Sequence, residues 1–194
     1  MATAAERVSR AMARLDRRAF LPADQHRFAD LDLPLALGHG ATCSQPTTVA
    51  RMLELLDPCP GHQVLDVGSG SAWTTALLDL LTAPGGSVHA VELEPELVSI
   101  GTANLRAAGV TGPVVRLAAS GVLGDPDAAP FDRILVSAEA DSLPAELVAQ
   151  LADDGRMVIP VAGRMTVVDR SDGETQTRAE GTYRFVPLRQ EPDG

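Results

Sequence analysis

Lysine is absent from this sequence, in which all 16 basic residues are arginine. That excludes a lysine Schiff base and the lysine of a phosphate-binding loop, and the pattern G-x-x-x-x-G-K-[ST] is missing as well. The two cysteines, Cys43 and Cys59, make no disulfide framework. The four histidines, His26, His39, His62 and His89, show no paired spacing to another His, Cys or carboxylate, so no metal site is expected. There is no apolar run of about 18 residues and no signal-peptide pattern, so a soluble, cytoplasmic protein is expected. Positive charge is also scarce: 26 acidic residues leave a net charge of −10 and a pI near 4.7, which argues against nucleic acid or an anionic membrane as a partner. No internal repeat or low-complexity segment is present.

With 45% hydrophobic residues, the chain is expected to form one domain over 1–194 around a single sizeable core. Residues 1–60 read as amino-terminal helices and a substrate and cofactor loop, and 61–194 as the core. Over 3–19, Val8, Ala11, Met12 and Leu15 share one face while Arg7, Arg10, Arg14 and Arg17 lie off it, a surface helix. Residues 23–40 read as an extended loop, and a helix is expected from about Thr47 to Leu56. Ser44, in the hydroxyl-rich stretch before that helix, reads first as its cap.

From Gln63 onward strands and helices alternate. Strands are expected at Gln63–Val67, Ser87–Val91, Pro113–Leu117, Arg133–Val136 and Arg156–Val161. Helices are expected over Trp73–Leu81 and Pro95–Ala108, with another from Pro144 closed by Asp154-Gly155. Two further strands, Met165–Asp169 and Thr182–Leu188, flank the polar loop Ser171-Asp172-Gly173. The pattern predicts an α/β fold: a doubly wound, Rossmann-like sheet of about seven strands, mostly parallel with an antiparallel finish and helices on both faces.

In such a sheet ligands bind at the carboxyl ends of the strands, near the point where strand order reverses. Three features fall there: the turn Gly68-Ser69-Gly70, the acidic residue Glu92 ending the second strand, and the loop Ala119-Ser120-Gly121 after the third. Together they describe a nucleoside-containing cofactor, with Glu92 placed to meet ribose hydroxyls. A dinucleotide fingerprint needs a third glycine where this chain has Trp73. Asp66, two residues before Gly68, is a poor neighbour for pyrophosphate and a good one for an ammonium group. That favours S-adenosylmethionine (SAM), against a turn whose glycines serve packing alone.

Over nearly its whole length the sequence resembles the protein-L-isoaspartate (D-aspartate) O-methyltransferases. Ala41-Thr42-Cys43-Ser44-Gln45-Pro46 is similar to the family's T-x-S-x-P loop, and Asp66 to Ala76 to its D-V-G-S-G-S-G-Y-x-T-A motif. The segments Arg18–Pro22, Gly155–Val161 and Phe185-Val186-Pro187-Leu188 also match its pattern. The resemblance implies a SAM-dependent enzyme that methylates the carboxylate of L-isoaspartyl or D-aspartyl residues in damaged proteins. It implies that Asp66, Gly68, Ser69 and Gly70 line the methionine end of SAM, that Glu92 holds the ribose and that Leu93 lies against adenine. Thr42 and Ser44 would stand beside the transferred methyl, and Val158 to Val161 would wall the substrate backbone. The implied partner is an isoaspartyl peptide or protein, and a monomer is expected.

Ser120 and Gly121 stand where the family's Gly-Asp-Gly meets adenine, with a hydroxyl in place of the carboxylate, a difference of about 1 to 2 kcal/mol for one charge-assisted bond. Position 72 is Ala instead of Gly, and Glu139 occupies a loop usually small and apolar. Two other readings use the same residues: an aspartate methyltransferase dedicated to one peptide or protein, and a SAM-fold protein that binds without turnover.

Overall fold

The computed structural model describes residues 2–190. Thr3 starts helix α1 (Ala4–Arg14) with a capping box, its hydroxyl accepting from Glu6 N while the Glu6 carboxylate accepts from Thr3 N. The expected helix over 3–19 ends early because Leu15 is extended (φ −118°, ψ 109°), and Asp16 then caps a separate 3-10 turn over Arg17–Phe20. The expected loop at 23–40 also holds structure. Ala23–Phe28 forms another 3-10 turn, and β1 (Leu35–Gly38) pairs antiparallel with β2 (Ala41–Cys43). Helix α2 (Pro46–Leu56) follows, with Pro46 in its first turn, where a missing N–H costs nothing.

The core then alternates β3 (Gln63–Val67), α3 (Trp73–Thr82), β4 (Ser87–Glu92), α4 (Pro95–Ala107), β5 (Val114–Leu117), β6 (Phe131–Val136) and α5 (Ala145–Ala149). It closes with β7 (Leu151–Val161), β8 (Arg164–Ser171) and β9 (Glu174–Thr182). These form one seven-stranded sheet in the order β5-β4-β3-β6-β7-β8-β9, parallel from β5 to β7 and antiparallel across β8 and β9. It is a Rossmann-like fold. Strand order reverses between β3 and β6, which opens the crevice where ligands bind.

Strand pleating assigns the core. Val64, Leu135, Val158 and Val167 point to one face, and their neighbours Leu65, Ile134, Met157 and Val168 to the other. The first face is covered by α1 to α4. Among the described residues the second is covered by α5, the 123–131 connection, Ala140, Leu143 and Leu188.

Two expectations fail at the carboxyl end. The helix expected to run from Pro144 to Asp154-Gly155 is only α5, and Leu151 already pairs with Phe131. Asp154 takes φ +61°, and the register slips between Phe131 and Arg133, so this polar stretch is an irregular strand. The last strand is Glu174–Thr182 and not Thr182–Leu188. Asp172 (φ 52°) and Gly173 (φ 77°) turn the chain tightly enough for Ser171 to pair with Glu174 at once. Among the described residues no helix is long and apolar enough to cross a membrane.

Candidate active site

The turn after β3 is fixed by its own backbone. Gly68 (φ 76°) lets the chain fold back so that Gly68 N and Ser69 N both donate to Val91 O at 2.9 and 3.2 Å. Glu92, 7% exposed, completes the clamp. Its Oε2 accepts from Gly70 N at 2.7 Å, and its Oε1 from Leu93 N at 2.7 Å and Glu94 N at 3.1 Å. The carboxylate at the end of β4 therefore shapes the turn as well as facing the crevice.

Helix α4 presses on the same turn through two residues that belong to no motif. Asn104 Nδ2 donates to Ser71 O at 3.0 Å. Gly101 admits the helix: a Cβ there would stand 3.1 Å from Gly70 O and 3.2 Å from Ala72 Cβ. Ala72 is itself left-handed (φ 67°), an orientation that costs a residue with a Cβ roughly 1 to 2 kcal/mol. The missing methyl of Gly101 leaves room for the one Ala72 carries.

Asp66 lies one layer behind the turn, wholly buried, and does not line the cavity. This corrects the expectation that it meets the methionine end directly. β3 pleating turns its carboxyl away from the crevice toward α3, where Oδ2 accepts from Thr75 Oγ1 at 2.7 Å and Oδ1 has no partner among the described residues. Burial pushes its pKa up to about 7, against the Thr75 bond that pulls it down, with the nearby Glu92 charge adding to the rise.

The opposite wall is β2 and the residues after it. Thr42 and Ser44 both face the cavity. Ser44 does not cap α2: Gln45 is the cap residue and makes no side-chain cap bond. Asp32 does that work from the preceding loop, its Oδ1 accepting from Thr47 N at 2.9 Å and its Oδ2 from Thr47 Oγ1 and Gln45 Nε2, each at 2.9 Å. The Gln45 amide and the Thr47 N–H hold the Asp32 carboxyl below its ordinary range.

Between these walls lies one cavity of about 390 Å³. It runs from Thr42 and Ser44 past Gly68, Ser69 and Gly70 to Glu92 and Leu93. Inside it two buried polar groups, Ser69 Oγ and Trp73 Nε1, have no hydrogen-bond partner among the described residues. An unpaired buried donor costs about 1 to 3 kcal/mol, so these two fit a ligand with acceptor atoms at the amino-acid end. Ser120 and Gly121 are exposed and outside the lining, because the turn closed by Val122 N to Ala119 O tips them outward; Ala118, Val122, Leu123 and Gly124 form that end. Val158 and Ile159, in the stretch expected to wall the substrate, are buried inside β7, and the lining there is Ser137 and Ala138 of the β6 end.

A strap over Val186–Arg189 crosses the cavity. Glu139 anchors it: its backbone pairs with Val186 O and Leu188 N, both at 2.7 Å, and its carboxylate accepts from Gly163 N and Phe185 N. Arg189 Nη2 reaches Glu94 Oε1 at 2.8 Å. Glu94 also comes within 4.8 Å of His39 and Glu96, a grouping that sequence spacing hid.

A family model described as protein-L-isoaspartate(D-aspartate) O-methyltransferase (PCMT) matches residues 2–192. The protein-L-isoaspartate O-methyltransferase of Aeropyrum pernix is 46% identical over 187 residues, covering 94% of this chain and 72% of its own length. That of Methanopyrus kandleri is 44% identical, covering 94% and 83%. A solved protein-L-isoaspartate O-methyltransferase superposes with a TM-score of 0.87 at 22% identity over 96% of this chain, which spans 62% of the other. A Plasmodium falciparum structure titled as a putative member, in complex with S-adenosyl-L-homocysteine, gives 0.83 at 23% identity over 96% of this chain and 91% of the other. At these identities the two structures speak for the fold.

Proposed function

This chain belongs to the protein-L-isoaspartate(D-aspartate) O-methyltransferase family, and on that premise we propose that it methylates the carboxylate of isoaspartyl residues generated by protein damage. The observation that carries the reading is the shared cavity, with the Gly68–Ser71 turn and Glu92 on one wall and the hydroxyl-bearing Thr42 and Ser44 on the other. SAM, when bound, supplies a methyl group activated by a positively charged sulfur. Gly68, Ser69 and Gly70 would hold its methionine end, aided by Ser69 Oγ and Trp73 Nε1, while Glu92 would hold the ribose and Leu93 face the adenine. Asp66 supports this wall from behind.

The acceptor needs little activation. An α-carboxyl group is ionised at neutral pH, so no general base is required, and the residues around it have only to aim it. Ser44 and Thr42 hydroxyls would donate to the carboxylate and set one oxygen in line with the methyl. Orientation of this kind is worth on the order of 7 kcal/mol when the geometry is good. In the family's chemistry the methyl ester closes spontaneously to a succinimide, which begins repair of the peptide link.

A methyl-transfer assay with labelled SAM on an isoaspartyl peptide and its aspartyl twin tests the proposal. Base-labile label on the isoaspartyl peptide alone is expected. Label on neither, with calorimetry showing S-adenosylhomocysteine bound, would point to a binding protein instead. Label confined to one dedicated peptide would replace general repair.

A further inference from the structure

Arg17 belongs to the 3-10 turn after α1 and its sequence pattern put it on the solvent side, yet it is only 6% exposed. Its guanidinium is bound almost entirely by backbone. Nη1 donates to Ala29 O and Leu31 O at 3.4 and 3.2 Å, and Nη2 to Leu33 O, Cys43 O and Ser44 O at 2.9, 3.0 and 3.0 Å. Nε points to Cys43 Sγ at 3.5 Å. None of these bonds goes to a carboxylate. A buried cation is costly unless its donors are satisfied, so here carbonyl dipoles from two separate segments must converge on it.

Those segments are the 29–33 loop and the end of β2, which carries Thr42 and Ser44. The guanidinium carbon also lies 5.4 Å from the centre of the Trp73 ring, at the start of α3 and on the cavity wall. One side chain thus ties the acceptor strand to the helix that follows the cofactor turn. The 29–33 loop in turn holds the far side of Ser44 through Asp32, which binds Gln45 and Thr47. Ser44 is bracketed, by Arg17 at its own carbonyl and by Asp32 at the next residues.

We infer that Arg17 is a positioning residue for methyl transfer, setting where Thr42 and Ser44 stand on the cavity wall relative to Trp73. The inference rests on the function proposed above. Lysine at this place keeps the charge but has three donors on a point-like head, against five in a planar fork, and cannot hold both segments.

The test compares wild type, Arg17→Lys, Ser44→Ala and the double variant, measuring S-adenosylhomocysteine affinity by calorimetry and kcat and KM with an isoaspartyl peptide. Arg17→Lys should lower kcat about 100-fold, the scale of an ångström-sized misplacement. It should leave cofactor-product affinity within about threefold, since the Gly68–Glu92 clamp is untouched. In the double variant the combined loss should fall short of the product of the two, because part of what Arg17 does is to place the Ser44 hydroxyl that Ser44→Ala has already removed. Unchanged kcat, parallel loss of affinity and turnover, or full multiplication would each overturn the inference. If Arg17→Lys does not fold, Asp32→Ala loosens the same bracket from its solvent side. It should reduce kcat about tenfold with affinity kept, and unchanged kcat there would overturn the inference. Failure of the functional reading looks different: wild type would not label the peptide, or Ser44→Ala alone would have no effect.

Discussion

The cofactor wall of the cavity is held by neighbours in sequence, Gly68 and Ser69 on Val91 and Gly70 on Glu92, all within one strand-turn-helix-strand unit. The acceptor wall is held by strangers: Thr42 and Ser44 stand where Arg17, from before the core begins, and Asp32, from an irregular loop, put them. The bonds of the first wall lie within the β3–β4 pair. Those of the second lie within the amino-terminal segment, which meets the core at Trp73. Ligand affinity and turnover should therefore be separable by mutation.

The largest effect should come from breaking the cofactor wall itself. At Gly68 there is space for a Cβ, the nearest atom being 4.0 Å away, but φ +76° is forbidding to a β-branched residue. Gly68→Val should lose S-adenosylhomocysteine binding beyond calorimetric detection while the far-ultraviolet spectrum stays native; retained affinity would mean the turn serves packing alone. On the other wall, Ser44→Ala should lower kcat/KM about tenfold, the worth of one hydrogen bond to a charged group, with affinity unchanged. A rate equal to wild type would remove Ser44 from the chemistry.

Asp66, behind the cofactor wall, gives a test by pH. Its pKa rises from an ordinary 3.8 to about 7 on folding, so the folded protein keeps a proton that the unfolded chain releases. That contribution to stability is complete below about pH 4 and is lost as pH climbs through 7. Asp66→Asn has no proton to lose, so its melting temperature should fall less than that of wild type between about pH 5 and pH 8. Equal falls would show that Asp66 is charged throughout. The smallest effect belongs to the strap. Arg189→Ala breaks a partly exposed pair with Glu94, and should weaken S-adenosylhomocysteine about threefold without touching kcat. A change in kcat instead would tie the strap to the acceptor wall.

The same division decides what could be read from the chain. Val64–Val67, Gly68, Gly70 and Glu92 lie in a contiguous pattern whose period and spacing carry their own geometry, and the sheet with its antiparallel finish followed from it. Arg17 looked like one more solvent-facing arginine because helical periodicity was extended past Leu15, where the helix had already stopped. Ser44 looked like a cap because its rival, Asp32, is close only in space. Ser120, Gly121 and Asp66 take their expected roles from their positions at or near strand ends. Whether a side chain beside a strand end turns into a crevice or away from it depends on pleat and turn geometry, which their residue types do not encode. Glu139 reads as a departure, and its two N–H partners come from places distant in sequence, Gly163 in the turn between β7 and β8 and Phe185 just before the strap.

The close approach of α4 to the cofactor turn has a consequence for how this chain can vary. Gly101 and Ala72 share room for one methyl group, and this chain has lodged it on Ala72, the side where it twists the backbone. The two positions form a single compartment of fixed capacity. A lineage can do without the methyl on Ala72, but a second one at Gly101 would stand 3.1 Å from Gly70 O and 3.2 Å from Ala72 Cβ, and forces α4 away from the Gly68–Ser71 turn.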